Sequence, residues 1–356
     1  MQAELIKFIY VNVIFLRNIV VNNMFTLRIV LSTAVFVNII ALSSTASTVE
    51  ADDNINSMAL YLSDRLPREL AALKNRKENG SIEIEDLLAF DQMHYDGENA
   101  MISAISSMNI VSASRVIDIG SGYGGPARYV AWKTGAYVTA LELQPEINNE
   151  AAMMTNLVGH TKSGSKAIDL VTLVDHQAGN VINWGPETFP VDTDADKYDG
   201  FMSMLAFLHV DNKVELFKSI AHTLKPGARF YIEDYFNRQE LNVNDMKVLK
   251  DIVSCGPLPT QSEYVESLLS AGFTDIEFQD KTSDWASFVN GRNEIFMDNK
   301  LSRIEVLGEQ TYMALGTFYS SVARLFTEGR LGGTVITGIY RGPISTTNTG
   351  VLSDEL

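Results

Sequence analysis

Arg115-Val116-Ile117-Asp118-Ile119-Gly120-Ser121-Gly122-Tyr123-Gly124-Gly125-Pro126 is a β-branched run that stops at an aspartate, crosses a glycine-rich turn and meets a proline. Val116, Ile117 and Ile119 suit a buried strand. Pro126 suits the first turn of a helix, which the amphipathic stretch Ala127 to Lys133 continues. Without side chains at Gly120, Gly122 and Gly124 or Gly125, the turn can take positive φ, and a ligand can lie on bare backbone facing helix N-terminal amides. The stretch predicts a strand, a turn and a helix that together dock something of nucleotide size.

Working outward, strands and helices alternate. The pattern predicts a second strand over Tyr137 to Leu143, a helix over Pro145 to Val158, a third strand over Ile168 to Asp175 and a fourth over Tyr198 to Leu205. It then predicts a helix from Asp211 to Leu224 ended by Lys225-Pro226-Gly227, and a fifth strand from Arg229 to Asp234. A further helix over Thr260 to Ala271 ends at Gly272 and precedes a strand over Thr274 to Gln279. A long helical region leads to a last strand over Gly333 to Tyr340. Alternation of this kind demands a parallel, doubly wound α/β sheet. On the N-terminal side, one helical pattern runs from Met58 to Leu73 in an otherwise polar lead-in.

Composition removes several function classes. The chain has 356 residues, with 28 basic against 44 acidic and a net charge of −16, which repels phosphate backbones and leaves no basic stripe for nucleic acid. One cysteine, Cys255, excludes an internal disulfide and a cysteine metal cluster, and the five histidines show no ligand spacing. No metal site is expected. A lone cysteine of this kind reads as a small buried hydrophobe.

In an open parallel sheet, ligands bind beyond the carboxyl ends of the strands, where the strand order reverses. Glu142 closes the second strand at the distance expected for a carboxylate that accepts hydrogen bonds from both ribose hydroxyls, with Leu143 and Gln144 beside it. Asp118 is a buried strand-end acid that needs a partner, either a ligand ammonium or the amides of its own loop. Asn180 follows the third strand, where it suits an ordinary loop turn. Met204 and Leu205 follow the fourth. By spacing alone, Gly120, Gly122 and Gly125 also fit a nicotinamide or flavin dinucleotide fingerprint.

Asp118 directly before the first glycine, and the order of the elements that follow, make the stretch resemble the first motif of the class I S-adenosylmethionine-dependent methyltransferases. The resemblance runs from about Asp91 to Arg341. It implies a seven-stranded Rossmann-like sheet with an antiparallel last strand and a helical lid. S-Adenosylmethionine is the implied cofactor, held by Asp118, Gly120, Ser121, Gly122, Gly124, Glu142, Leu143, Gln144, Asn180 and Leu205.

Phe90-Asp91-Gln92-Met93-His94-Tyr95-Asp96-Gly97, taken with Ser203-Met204-Leu205-Ala206-Phe207-Leu208-His209-Val210, resembles the phosphoethanolamine methyltransferases. In that family a lid tyrosine and a histidine after the fourth strand act together, which implies a catalytic pair Tyr95 and His209. A histidine bonded to a phenol can take the proton that an ammonium acceptor must lose; His94 is an alternative base. The chain departs from that family at Ile252-Val253-Ser254-Cys255-Gly256-Pro257-Leu258-Pro259, which holds no cation for a phosphate. Ile232-Glu233-Asp234-Tyr235-Phe236 and the stretch from Trp285 to Arg292 also resemble the glycine, sarcosine and dimethylglycine N-methyltransferases. Tyr235, Arg238 and Arg292 are then the polar groups for a small carboxylate, with Glu233 or Asp234 for an amine.

The expected reaction is direct methyl transfer to a small polar acceptor, an amine first. The alternatives are transfer to sulfur, oxygen or a sterol-like carbon, or a non-catalytic nucleotide-binding protein on the same fold. The expected partner is a small-molecule substrate, with membrane contact only through an uncleaved N-terminal segment. Residues 1–46 read as a signal peptide or signal anchor with an upstream extension, 47–88 as a helical lead-in, 89–343 as the methyltransferase domain and 344–356 as a tail. The end Ser353-Asp354-Glu355-Leu356 resembles the tetrapeptides that retain proteins in the endoplasmic reticulum, so the lumen of that compartment is the expected location. Asn79-Gly80-Ser81 is then a usable glycosylation sequon.

Overall fold

The structure is a computed structural model that describes residues 59–62, 64–77, 82–185 and 196–343. A 3-10 turn (Ala59–Tyr61) precedes helices α1 (Arg65–Arg76), α2 (Ile84–Leu87) and α3 (Glu98–Met108). Strand β1 (Arg115–Ile119), α4 (Gly125–Thr134), β2 (Tyr137–Glu142) and α5 (Pro145–Leu157) follow as read from the sequence. Then come a hairpin of β3 (His160–Ser163) and β4 (Lys166–Asp169), the short helix α6 (Leu170–Leu173), β5 (Val174–Ala178) and β6 (Tyr198–Met204). The chain continues through α7 (Lys213–His222), β7 (Leu224–Asn237), α8 (Val243–Val253), α9 (Gln261–Ser270) and β8 (Phe273–Asp280). Helices α10 (Thr282–Asp298), α11 (Lys300–Leu307) and α12 (Glu309–Thr327) lead into the last strand β9 (Leu331–Tyr340).

Seven of these strands form one sheet in the order β5-β2-β1-β6-β7-β9-β8. Neighbours from β5 to β7 are parallel, and β9 runs antiparallel to both β7 and β8. The order reverses between β1 and β6, so the carboxyl ends of these two strands flank the crevice where such sheets bind ligands. Two apolar clusters cover the faces, one built on Val116, Val138, Met202 and Tyr231, the other on Ile117, Phe201, Phe230 and Phe273. The lead-in is part of this body: Arg303 reaches Glu69 of α1 (3.9 Å), and Thr311 bonds Asp64 (3.5 Å).

Local chemistry changes three of the expected boundaries. The third strand of the sheet is Val174–Ala178 rather than Ile168 to Asp175, because Asp169 accepts from the Val171 amide and caps a helical turn over the apolar run. The helix expected to reach Leu224 ends at His222, where the Thr223 hydroxyl donates back to the Ile220 carbonyl. Pro226 and Gly227 lie within β7, in a register shift where Leu224 pairs with Tyr198 and Arg229 with Gly200. The pattern from Met58 to Leu73 breaks into the 3-10 turn and α1; Met58 lies outside the described residues, as do Asn79-Gly80-Ser81, residues 1–46 and residues 344–356.

Helix α4 is not the amphipathic element that Ala127 to Lys133 suggested. Every residue from Gly125 to Trp132 is buried, Arg128 completely. Among the described residues no helix is long and apolar enough to cross a membrane.

Candidate functional site

The turn after β1 takes the conformation its glycines permit. Gly120, Gly122 and Gly124 have φ of 74°, 52° and 74°. A Cβ at Gly120 would lie 2.2 Å from Ala206 Cβ, so the turn and the chain leaving β6 approach to a distance only glycine allows. Leu205, next to Ala206, is itself left-handed at φ 56°, and its amide donates to the Glu233 carbonyl. Asp96 and Ser254 are also left-handed, at φ 61° and 53°. Non-glycine residues in this region are uncommon and gather where function imposes geometry.

Glu142 is buried at the end of β2. One of its oxygens accepts from the Gly122 amide (2.9 Å) and the other from the Gln144 amide (3.0 Å). Burial raises its pKa, while those amides and that of Leu143 oppose the shift. Asp118 is pushed to about 8, by burial first and by the neighbouring Glu142 second, against the Ala127 amide and the Arg128 charge. One Asp118 carboxyl oxygen, the Ser121 hydroxyl and the Tyr123 hydroxyl are buried with no hydrogen-bond partner. Buried polar atoms call for partners, and these three surround bare glycine backbone beside a ribose-type carboxylate. They fit S-adenosylmethionine: Asp118, Ser121, Gly122, Glu142 and Gln144 would hold it, with Leu205 at the mouth of β6. When bound, it supplies an electrophilic methyl group on a sulfonium.

Asn180 takes the turn role, its side-chain oxygen accepting from the Ile182 amide (3.0 Å) to cap a 3-10 turn over Val181–Asn183. Tyr61 comes from outside the recognised motifs. Its ring packs edge-on against Tyr123 (5.9 Å between centroids), and its hydroxyl faces Gly122, within 3.5 Å of where a Cβ would stand. Nothing local marks it, since the contact spans the lead-in and the glycine turn.

The end expected to take the acceptor is built from four elements. The lid stretch Asp91 to Gly97 is an irregular loop between α2 and α3, and it carries a fully buried Tyr95. Tyr95 hydrogen-bonds the Tyr235 hydroxyl at the end of β7. The Arg292 guanidinium of α10 lies 5.0 Å from the Tyr95 ring centroid, 5.6 Å from Phe288 and 4.8 Å from Tyr319. Trp285 and Phe326 close the rest of the box around Tyr95.

His209 stands in the 3-10 turn Phe207–His209 after β6 and is half-buried. Its Nδ1 pairs with the Ser254 carbonyl (2.8 Å), and the Gly256 amide donates to the Leu208 carbonyl (3.0 Å), which seats the turn against the chain leaving α8. Between them stands Cys255, which is buried. A carbonyl can only accept, so Nδ1 carries the proton and Nε2 is left with the lone pair. Burial lowers the His209 pKa and the Lys213 charge adds to this, against the Ser254 bond.

Two expectations are corrected here. Tyr95 and His209 are not hydrogen-bonded to one another: the phenol is engaged by Tyr235 and the imidazole by Ser254, two polar partners reached before either finds the other. Arg238 is exposed and tied to Asp280 (2.9 Å) at the surface, so it takes no part in the site. Asp234 is fully committed to the Tyr235 amide and the Tyr264 hydroxyl (2.8 Å each). Glu233 accepts from Tyr231 (3.0 Å) with its other oxygen unpartnered, 3.8 Å from His94. Cys255 is buried and its thiol is pushed far up by burial.

A methyltransferase-domain family profile matches residues 117–232. Sarcosine/dimethylglycine N-methyltransferase of Halorhodospira halochloris is 26% identical over 189 residues, 52% of this chain and 62% of that protein. Phosphoethanolamine N-methyltransferase of Plasmodium falciparum is 25% identical over 228 residues, 63% of this chain and 77% of that one. Among solved structures, phosphoethanolamine N-methyltransferase 2 of Haemonchus contortus, in complex with phosphomonomethylethanolamine and S-adenosylhomocysteine, superposes with a TM-score of 0.65 at 16% identity, covering 84% of this chain and 61% of that one. The chain thus spans about three fifths of the first relative and of that structure. Residues 117–232 match the methyltransferase-domain family, and the chain shares its Rossmann-like fold with the solved S-adenosylmethionine-dependent methyltransferase.

Proposed function

We propose that the protein transfers the methyl group of S-adenosylmethionine to the nitrogen of a small amine that also carries a carboxylate. The observation that carries this reading is the state of His209. Its Nδ1–H is committed to the Ser254 carbonyl, so Nε2 is an available base on the turn that follows β6. Methyl transfer needs a nitrogen lone pair, and an ammonium has none until it loses a proton. A histidine held neutral can take that proton and pass it to water from its half-buried position, and burial of the ammonium in the same pocket eases the transfer.

The carboxylate is argued from Arg292. Its guanidinium is stacked among three rings beside Tyr95, and its Nε is buried without a hydrogen-bond partner. One guanidinium presents the fork that matches one carboxylate, while a phosphate dianion at neutral pH is left under-neutralised by a single cation. The names of the two sequence relatives support an amine acceptor; the Arg292 guanidinium among the rings favours the amino-acid side of that pair.

The test is an acceptor panel: glycine, sarcosine and dimethylglycine against ethanolamine and phosphoethanolamine, with wild type and Arg292→Met. The expected result is a lower KM for the carboxylate-bearing amines that disappears in the variant. Equal use of the ethanolamines, which carry no carboxylate, by both proteins would remove the carboxylate from the reading. The location in the endoplasmic reticulum and the division at residues 46, 88 and 343 are likewise proposals, supported by the sequence patterns at the two ends of the chain.

A further inference from the structure

Arg128 lies in the first turn of α4, where the positive end of a helix dipole disfavours a cation, and it is fully buried. Such a placement is costly unless the charge is thoroughly paired. It is paired on three sides. One terminal nitrogen donates to the Tyr123 carbonyl of the glycine turn (2.7 Å) and to Asp91 of the lid loop (2.8 Å). The other donates to the Ala151 carbonyl (3.1 Å) and the Thr155 hydroxyl (3.2 Å) of α5. Thr155 in turn bonds His176 Nε2 on β5 (2.8 Å). Burial, with the Arg128 charge second, drives the His176 pKa down to about 4, so the ring stands neutral beside Thr155.

The lid side of this contact is equally close. A Cβ at Gly125 would lie 2.6 Å from the Asp91 carbonyl oxygen, so the lid backbone rests directly on the start of α4. Asp91 is the first residue of the loop that delivers Tyr95, and Tyr123 stands within the turn that faces the cofactor.

We propose that Arg128 is a positioning residue that registers the lid loop against the cofactor-binding turn, so that Tyr95 and the glycine backbone are held in one geometry. Its hydrogen bonds all go to the turn, the lid loop and α5, so it acts through those elements. A lysine, with no planar fork, cannot span Tyr123, Asp91 and α5 at once. The inference rests on the cofactor assignment for the glycine turn, and on Tyr95 belonging to the acceptor pocket.

The experiment uses the full chain as wild type, Asp91→Asn, Arg128→Met and the double variant Asp91→Asn/Arg128→Met. Thermal unfolding, S-adenosylhomocysteine titration and amide hydrogen exchange in the ligand-free protein are read for each. Arg128→Met strands a buried carboxyl and is the variant most prone to unfold, whereas Asp91→Asn keeps three of the four arginine bonds, and the double variant is charge-neutral. The expected result is that the double variant regains much of the unfolding temperature lost in Arg128→Met. It keeps an S-adenosylhomocysteine Kd at least tenfold above wild type, and exchange rises together in residues 90–97 and 120–125. Recovery of both stability and affinity in the double variant, or exchange unchanged in those two segments, would show a charge-balancing role only and overturn the proposal. Absence of S-adenosylhomocysteine binding in wild type would instead strike the cofactor assignment, and the exchange measurement would still decide the coupling of lid and turn.

Discussion

Gly120→Ala puts the cofactor-binding turn under the sharpest available strain. Two penalties are added. At φ 74° an alanine pays the left-handed cost of about 1–2 kcal/mol. The new Cβ would also lie 2.2 Å from Ala206 Cβ, far inside the 3.4–4 Å of ordinary contact, so the turn or the chain after β6 must withdraw by more than 1 Å. Displacement on that scale costs about 10²-fold in rate where reacting groups depend on positioning. Methyl transfer is therefore expected to fall about 10²-fold, and calorimetric titration with S-adenosylhomocysteine to show a raised Kd. Ala206→Gly removes the colliding carbon, and in the Gly120→Ala background it should restore most of the affinity, leaving the backbone cost. Gly164→Ala is the control: φ is 60° in the β3–β4 hairpin and nothing lies within 4 Å, so it pays the backbone cost alone and leaves the Kd untouched. Wild-type affinity in Gly120→Ala, or no recovery on adding Ala206→Gly, would refute the close approach of turn and strand end.

Other consequences can be measured on the same protein. His209→Ala should lower kcat for an amine acceptor by about 10²–10⁴-fold with S-adenosylhomocysteine affinity unchanged, and higher pH should partly restore it by supplying free amine. The Lys213 ammonium bonds the Phe207 carbonyl (2.8 Å) and the Val210 carbonyl around the His209 turn, and its charge lowers the His209 pKa. In Lys213→Met the acid limb of the kcat/KM profile should consequently move to higher pH, and an unmoved limb would separate that limb from His209. Glu233 is raised from 4.5 to about 8, chiefly by burial, so the folded state keeps a proton that the unfolded chain has lost above 4.5. Stability is therefore given up between pH 4.5 and 8, and the melting temperature of Glu233→Gln relative to wild type should climb across that window. If the C-terminal Ser353 to Leu356 is read as an address, its deletion should send the expressed full chain into the medium.

The glycine turn and Glu142 were legible because their signals are local: a strand period, a run of glycines, and an acid at the end of the next strand. The same is true of the alternation that specifies the parallel sheet. What escaped was the pairing of side chains distant in sequence. Arg128 and Asp91 are 37 residues apart, and Arg128 reads as one more polar position on a helix face until both sides of α4 are covered. The two tyrosines that meet at the candidate site are 140 residues apart, so Tyr95 could be placed near it but not matched to Tyr235. Arg238 and Arg292 are indistinguishable by type. Only the fold gives one an acid at the surface and the other a ring of aromatic side chains. The strand expected over Ile168 to Asp175 failed on a single carboxylate, Asp169, whose capping bond is available only because the preceding hairpin turns the chain.

The most direct test of methyl transfer to nitrogen is one turnover of the full-length protein with S-adenosylmethionine carrying a labelled methyl carbon and sarcosine as acceptor, with the product resolved by mass spectrometry. The expected product is dimethylglycine with the label on nitrogen, formed by wild type and suppressed in His209→Ala. Label passing to a thioether or a sterol carbon in a parallel reaction while sarcosine stays unmodified would contradict it.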